Sequence, residues 1–299
     1  GTMARWGLDY ETTLAARFPR LVYCTISGFG VDGPLGGLPG YDAVAQAMGG
    51  TMSINGSEET GALRSTIPMV DIVTAYNALT GILLALADRG RSARGQRVEA
   101  TLYDTALTML IPYAANWRAS GRVPRRAGNS HVSIYPYDKF TVGGSEMFLG
   151  VVNQGQFRRF CEHIDRADLL DDPRFRTNGD RVEHRAVLRS EIERTLATFD
   201  RDELCAGLMK EGVPAGPVNT IPEALGHPHT THRGMDVRID DYRGIGVPIK
   251  LERTAGAPRA KPPRFAEHTS AILAEAGFAA DEIESLRAAG VLPTTRRKS

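Results

Sequence analysis

A long helix, predicted from about Asp71 to Asp88, is the feature that most constrains how this chain can fold. Its apolar residues recur near helical spacing, so one face should lie in a core. The longest apolar run, Gly81–Ala87, ends at Asp88 and is too short to span a bilayer, which favours a buried helix over a membrane span. The predicted core face holds Ile72, Val73, Tyr76, Leu79, Ile82, Leu83 and Leu86.

Strand-like segments stand on both sides of this helix. Arg20–Ser27 is a β-rich run of strand length, and Arg97–Leu102 alternates like a strand. Asp104–Arg118 returns to a helical pattern, interrupted by Pro112. Strands that alternate with helices in this way predict an α/β fold.

A glycine-rich stretch follows the first predicted strand. Gly28, Gly30 and Gly33 have the spacing of a dinucleotide-binding motif. That motif requires a helix to start at the third glycine, yet Pro34 and further glycines follow here. The pattern therefore favours a flexible loop beside an active site over a dinucleotide site.

The composition changes after Arg118, which predicts a division into parts. Residues 1–118 are predicted to form a large α/β domain and residues 129–219 a smaller α+β domain that contains a hairpin around Gly143 and Gly144. Residues 212–218 are interpreted as a turn-rich connector. Residues 220–299 are predicted to run back as a linker and end in helices.

The bulk composition narrows the class of partner. The 299 residues allow one large domain or two smaller ones, and 36 basic residues against 35 acidic ones give a net charge of +1. This balance gives no reason to expect nucleic acid or a membrane as partner. Three cysteines far apart are typical of reduced thiols in a cytoplasm, and the first residues contain no signal peptide.

Few residues are candidates for chemistry on pattern alone. Asp71, at the start of the long helix, is a candidate nucleophile, but an aspartate there more often caps free backbone N–H groups. His227, His229 and His232 lack partners with metal-ligand spacing, so no metal is predicted. The residues by themselves leave both interpretations of Asp71 open.

An ordered series of motifs carries further, because together they resemble the family III CoA-transferases, which include α-methylacyl-CoA racemases. The resemblance covers essentially the whole chain. The matching segments are Leu21–Gly33, Tyr41–Gly50, Val70-Asp71, Arg94–Val98, Arg126–Asn129, Asp172–Phe175 with Asn178 and Arg181, Val213–Val218, Glu267–Thr269 and Ile283–Val291.

The resemblance implies a fold and an assembly. It implies a Rossmann-like large domain that is incomplete at its N-terminus, since the chain begins about where the family's N-terminal portion ends, joined to the smaller α+β domain. It also implies a homodimer whose two chains interlock, each threading the ring of the other. We expect either a truncated chain or one piece of a split protein.

The resemblance also implies a chemistry. Asp71 matches the family's catalytic aspartate, which attacks an acyl-CoA thioester and carries CoA to a carboxylic acid through an anhydride and an aspartyl thioester. Coenzyme A is thus the expected cofactor, as acyl-CoA substrate. Arg5 and Trp6 match a turn that contacts CoA, while Gly40, Tyr41 and Asp42 match the segment beside the pantetheine.

Two alternatives remain open. A racemase of this family uses a histidine where Tyr41 stands, and a phenol is a poor proton shuttle near neutral pH, so the transferase is favoured. A chain that lacks the family's N-terminal portion is alternatively a non-catalytic CoA-binding fragment.

Overall fold

The structure is a computed structural model that describes residues 2–293. It falls into two compact units that divide between Pro217 and Val218. The strands are β1 Tyr23–Ser27, β2 Gly56–Ser57, β3 Gly61–Ala62, β4 Arg97–Thr101, β5 Tyr137–Val142, β6 Ser145–Gly150, β7 Ala215–Pro217, β8 Asp236–Ile239 and β9 Tyr242–Ile245. The helices are α1 Thr2–Arg5, a π-helical turn Tyr10–Leu14, α2 Ala15–Arg17, α3 Asp42–Met48, α4 Thr51–Ile54, α5 Met69–Ser92, α6 Leu102–Thr108, α7 Tyr113–Ser120, α8 Gln154–His163, α9 Asp168–Asp171, α10 Asn178–Glu183, α11 Arg185–Leu196, α12 Arg201–Lys210, α13 Ile221–Gly226, α14 Pro228–His232, α15 Thr269–Glu275 and α16 Ala280–Ala288.

Two parallel strands organise the part of the chain around the long helix. β1 pairs with β4 from Tyr23 opposite Arg97 to Ser27 opposite Thr101. Parallel neighbours need a crossover, and here α5 lies directly before β4 and packs against both strands. The mixed α/β fold predicted from the sequence is confirmed. The Rossmann-like domain, the boundaries at 118, 129 and 219 and the interlocked dimer stay predictions.

Helix α5 approaches the sheet through its small residues. Its buried positions are Val70, Thr74, Ala78 and Ala85. Gly81 lies so close to β4 that a Cβ atom there would be only 2.6 Å from Cγ1 of Val98. The side chains that face the sheet are short because the two backbones run close together.

The predicted core face of α5 is wrong for five of its seven residues, since only Val73 and Ile82 are half-buried. Tyr76 is 53% exposed and Leu83 56% exposed, and Ile72, Leu79 and Leu86 are exposed as well. The physical reason is geometric, since a two-stranded sheet covers only a narrow stripe of the helix. That stripe belongs to the small residues instead.

The length argument against a membrane span is also wrong. The seven-residue apolar run is part of a 24-residue helix, and α5 is the one helix within residues 2–293 that is long and apolar enough to cross a membrane by length and composition. A core helix of a soluble protein passes the same test, so the property is weak evidence for a membrane.

A second core lies around an antiparallel sheet in the order β5-β6-β7. The predicted hairpin is confirmed, with Gly143 and Gly144 in the left-handed region at φ 52° and 82°. The connector predicted at residues 212–218 is wrong in part, since Ala215–Pro217 pairs with β6 as a third strand. Its Gly-Pro content disguised a short edge strand, where proline is tolerated.

Arg181 ties this second core together. It is only 1% exposed and donates to the carbonyls of Tyr135 at 2.8 Å and Phe175 at 3.0 Å and to Oε1 of Gln154 at 2.9 Å. Its guanidinium carbon also lies 4.2 Å from the centroid of the Phe157 ring. Burial lowers its pKa from the usual value. These contacts give a structural reason for an arginine at this point of the motif.

The second unit, residues 218–293, is built from short elements. β8 and β9 form a hairpin in which Asp236 pairs with Ile245. Thr220 starts α13 with a capping box, in which its side chain and that of Glu223 each accept from the other's backbone N–H. Residues 246–268, between β9 and α15, contain no helix or strand, and the helices predicted to end the chain are α15 and α16.

The close approach of α5 to β4 gives a matched pair of substitutions within one helix. A Cβ at Gly90 meets nothing within 4 Å. Gly90→Ala should raise the free energy of unfolding by about 1 kcal/mol, the helical advantage of alanine. Gly81→Ala should lower it by about 1–2 kcal/mol, because the methyl group pushes Val98 away. Urea unfolding followed by circular dichroism measures both, and an equal gain in the two variants would contradict the close contact.

Candidate active site

Asp71 is the third residue of α5, and its carboxylate makes no hydrogen bond to that helix. Its side chain is exposed, and it makes no hydrogen bond or ion pair with any of residues 2–293. The residue before the helix is Pro68, whose side chain caps nothing. The alternative in which Asp71 caps its own helix is therefore wrong.

Asp42 provides the cap instead, from a different helix. Its Oδ2 accepts from the backbone N–H of Val70 at 2.8 Å and from that of Asp71 at 3.2 Å. The other two initial N–H groups of α5 bond to nearby carbonyls, Met69 to Ile67 and Ile72 to Pro68. All four donors at the start of the helix are thus satisfied.

Gln46, one turn after Asp42 on α3, connects this cap to the chain that leads into α5. Its Nε2 donates to Oδ1 of Asp42 at 2.5 Å and to the carbonyl of Ser65 at 3.4 Å, and its Oε1 accepts from the N–H of Ser65 at 2.8 Å. Gln46 is 3% exposed and Asp42 9%. The pair is a buried polar network in which both carboxylate oxygens of Asp42 have partners.

The glycine-rich loop closes on itself just before this pair. A Cβ on Gly28 would lie 2.8 Å from the Cα of Gly40, and a Cβ on Gly40 would lie 2.7 Å from the Cα of Gly28. The two backbones cross in direct contact, which only glycine allows. The carbonyl of Gly28 also accepts from the N–H of Tyr103 at 3.0 Å. These contacts hold the end of the loop in place, directly before Tyr41 and Asp42.

The loop has no dinucleotide geometry. Gly33 has φ +74° and no helix begins there. The next helix is α3, which starts at Asp42. No helix N-terminus follows the third glycine, so the loop lacks the feature that binds a pyrophosphate in a dinucleotide site.

The predicted CoA contacts are only partly brought together. Tyr41 is 76% exposed and adjoins Asp42, which bonds to the backbone of Asp71. Arg5 ends α1 with its guanidinium on Oγ1 of Thr2 at 3.1 Å, and Trp6 is 69% exposed. Within residues 2–293 no hydrogen bond or ring contact joins Arg5 or Trp6 to the start of α5. All five assignments stay predictions.

The buried thiols of Cys161 and Cys205 are not competing nucleophiles. Burial raises the pKa of Cys161 to about 12 and that of Cys205 to about 11, so both thiols are neutral and poor nucleophiles near pH 7. In the part of the chain that the structure describes, no group of three histidine, cysteine, aspartate or glutamate residues could hold a metal ion. The rings of His229 and His232 stack with centroids 5.9 Å apart.

Sequence reasoning missed Gln46 and the capping role of Asp42. A signal was present, because an aspartate and a glutamine one turn apart share one face of a helix whose remaining residues are mostly alanine, valine and methionine. That spacing predicts the bond between the two side chains. It does not say that the carboxylate also reaches α5, which lies 28 residues further along the chain.

Comparison with known proteins shows which family the sequence of this chain matches. The sequence model described as CoA-transferase family III matches residues 1–269. The succinate–glutarate CoA-transferase of Agrobacterium fabrum is 34% identical over 91% of this chain and 69% of its own length. An acyl-CoA transferase of Fusarium pseudograminearum is also 34% identical, over 98% of this chain and 65% of its own length. This chain thus spans about two thirds of these relatives.

A solved structure has the same fold. The crystal structure of a CAIB/BAIF family protein from Brucella suis is 35% identical, with a TM-score of 0.79 over 92% of this chain and 72% of that chain. The similarity therefore extends from the sequence motifs to the arrangement of the elements.

The crossing of Gly28 and Gly40 predicts a local effect of one methyl group. Gly28→Ala should force the two backbones apart and loosen the loop, so that chymotrypsin cleaves faster after Phe29 and Leu35. Gly216→Ala is the control, because a Cβ there meets nothing within 4 Å. Cleavage rates of the native proteins measure the effect, and equal rates would show that the contact does not hold the loop.

Proposed function

This chain belongs to CoA-transferase family III, and on that premise we propose that it moves CoA from an acyl-CoA thioester to a carboxylic acid, with Asp71 as the covalent nucleophile. The observation that carries the proposal is the exposed carboxylate of Asp71 at the start of a helix whose amides are already capped by Asp42. A carboxylate without partners in the protein is free to attack a substrate.

The substrate class follows from the name of a relative. Succinate and glutarate are short dicarboxylic acids, and the relative named for them is 34% identical to this chain over 69% of its own length. We extend this class to the present chain, so succinyl-CoA is the donor to test first and glutarate the acceptor.

The proposed reaction runs through acyl exchange on Asp71. An oxygen of Asp71 attacks the thioester carbonyl, the C–S bond breaks, and an anhydride and CoA thiolate form. The thiolate then attacks the aspartyl carbonyl and releases the donor acid, which leaves an aspartyl-CoA thioester. The acceptor carboxylate attacks that thioester and expels the thiolate, which takes the acceptor acyl group from the new anhydride and restores Asp71.

The surrounding residues have supporting roles in this scheme. The positive end of α5 favours the negative charge of Asp71 before attack. Backbone N–H groups of the Gly28–Gly40 loop would donate to the oxyanion that forms at each attacked carbonyl. The exposed side chains of Arg5 and Trp6 are suited to a phosphate and to a base, and Tyr41 and Gly40 to the pantetheine.

The proposal includes a homodimer, as the resemblance implies, and a cytoplasmic location, as the three separated cysteines indicate. The exposed apolar residues of α5, such as Tyr76 and Leu83, are compatible with a covered face in an assembly. Light scattering after gel filtration measures the oligomeric state of the chain.

Two alternatives to CoA transfer predict different measurements. A racemase would exchange the α-proton of a 2-methylacyl-CoA with deuterium from the solvent, and Tyr41 in the position of a histidine disfavours it. A non-catalytic CoA-binding fragment would bind acyl-CoA without exchange. The fragment is considered because this chain spans about two thirds of the length of its relatives.

Removal of the nucleophile tests the central assignment. Asp71→Asn keeps the shape of the side chain but removes the attacking charge, and should lower CoA transfer from succinyl-CoA to glutarate by on the order of 10³-fold. Glu203→Gln is the control, because Glu203 is also an exposed acid at the third position of a helix, α12. Full transfer by Asp71→Asn would refute the mechanism.

Isotopic labelling tests the path of the atoms. With oxygen-18 in both carboxylates of glutarate, the acceptor leaves one labelled oxygen on Asp71 at each turnover. The reason is that the thiolate breaks the bond between the acyl carbon of the acceptor and the bridging oxygen, which came from glutarate. Mass spectrometry of the peptide that contains Asp71 measures the label. Transfer of CoA without label in this peptide would show that the acyl group never passes through the aspartate.

A further inference from the structure

The residue before α5 provides no acceptor for the first backbone amides of the helix, and Asp42 provides it instead. The residue before the helix is a proline, which has neither a side-chain acceptor nor an N–H. The amides of Val70 and Asp71 would be left without partners if Asp42 were absent. A buried amide without a partner is costly, so the position of this helix start depends on the carboxylate.

The cap also determines what the side chain of Asp71 can do. An acid at the third position of a helix commonly folds back to bond the backbone N–H of the residue before the helix, but here that residue is Pro68, which has no N–H. Here the carboxylate of Asp42 already accepts from the amides of Val70 and Asp71. The carboxylate of Asp71 is left exposed and without a partner among the described residues.

Gln46 makes the cap rigid. It bonds to Asp42 and to both backbone groups of Ser65, so the helix start is held at Asp71 and again six residues earlier. The network also couples α5 to the loop that carries Tyr41, because Asp42 is the next residue. Movement of one side of the site would therefore move the other.

We propose that Asp42 and Gln46 are positioning residues for Asp71, and that the Asp42 side chain acts on the helix backbone rather than on CoA. The inference rests on the proposed function, because it assigns these residues to the reaction of Asp71. A displacement of about 1 Å at a reacting group can cost about 10²-fold in rate, which is the scale of the expected effect.

Three variants separate the hydrogen-bond pattern from the residue types. Asp42→Ala removes the cap. Asp42→Asn retains one oxygen for the two amides but places an NH₂ group against the NH₂ group of Gln46. The double variant Asp42→Asn/Gln46→Glu restores a donor and an acceptor between the two side chains, leaves one Glu oxygen for the N–H of Ser65 and loses only the long 3.4 Å bond to the Ser65 carbonyl.

The expected result is a change in kcat and a rescue. Asp42→Ala should lower kcat by about 10²-fold, with KM for succinyl-CoA changed by less than about 3-fold. Asp42→Asn should lower kcat as well, and the double variant should regain at least about 10-fold over the single one. If Asp42→Ala raises KM at an unchanged kcat, the side chain binds substrate and the inference is wrong.

A cap elsewhere in the chain provides the matched control. Asp200 caps α12 by the same geometry, since its Oδ1 accepts from the amides of Asp202 and Glu203, both at 2.9 Å. Asp200→Ala should lower the thermal midpoint as a lost cap does, without a change in kcat. A fall in kcat equal to that of Asp42→Ala would reduce the effect to general stability and overturn the inference.

A measurement without substrate keeps the inference separate from the proposed function. Amide hydrogen exchange at Val70 and Asp71 should become faster in Asp42→Ala and return toward wild type in the double variant. Unchanged exchange in Asp42→Ala would overturn the inference even in an active enzyme. If instead the wild type shows no transfer, or Asp71→Asn transfers as well as the wild type, the proposed function fails while the exchange result still decides the role of Asp42.

Discussion

The free backbone amides at the start of α5 are the constraint on which the site depends. A helix that follows a proline must find acceptors elsewhere, and the acceptor here comes from Asp42, on a helix much earlier in the chain. Because the same oxygen bonds the amide of Asp71, the structural solution also sets the place of the candidate nucleophile. An aspartate at a helix start was expected either to cap the helix or to react. In this structure Asp42 caps the helix, and Asp71 is the candidate nucleophile.

Helix α5 meets the sheet by close contact rather than by large apolar side chains. Gly81 against Val98 and the buried Ala78 and Ala85 bring the helix backbone near β4, which leaves the larger residues facing outward. A row of exposed apolar side chains along one helix is typical of a surface that another element or chain covers. The same composition lets the helix pass a length and hydropathy test for a membrane span, so that test says little here about the environment of the chain.

Local patterns predicted much of the fold and little of the site. The two parallel strands and the hairpin at Gly143-Gly144 follow from β-rich runs and turn residues, whose preferences act within a few residues. The strand at Ala215–Pro217 was missed because its glycine and proline indicate a turn, while its pairing partner β6 lies far away in sequence. Asp71 stood out only through its neighbours in a series of family motifs. No pattern predicted the role of Gln46, because its partner Ser65 belongs to an irregular segment.

The sequence by itself determined the α/β class, the positions of the main helices and strands and the family, because periodicity and ordered motifs are properties of the chain alone. Tertiary structure decided which face of α5 is covered and which carboxylate caps its start. Both outcomes depend on contacts between residues far apart in sequence, such as Gly81 with Val98 and Asp42 with Val70. Burial and hydrogen bonding are set by what the folded chain brings near, and no local pattern of residue types contains that information.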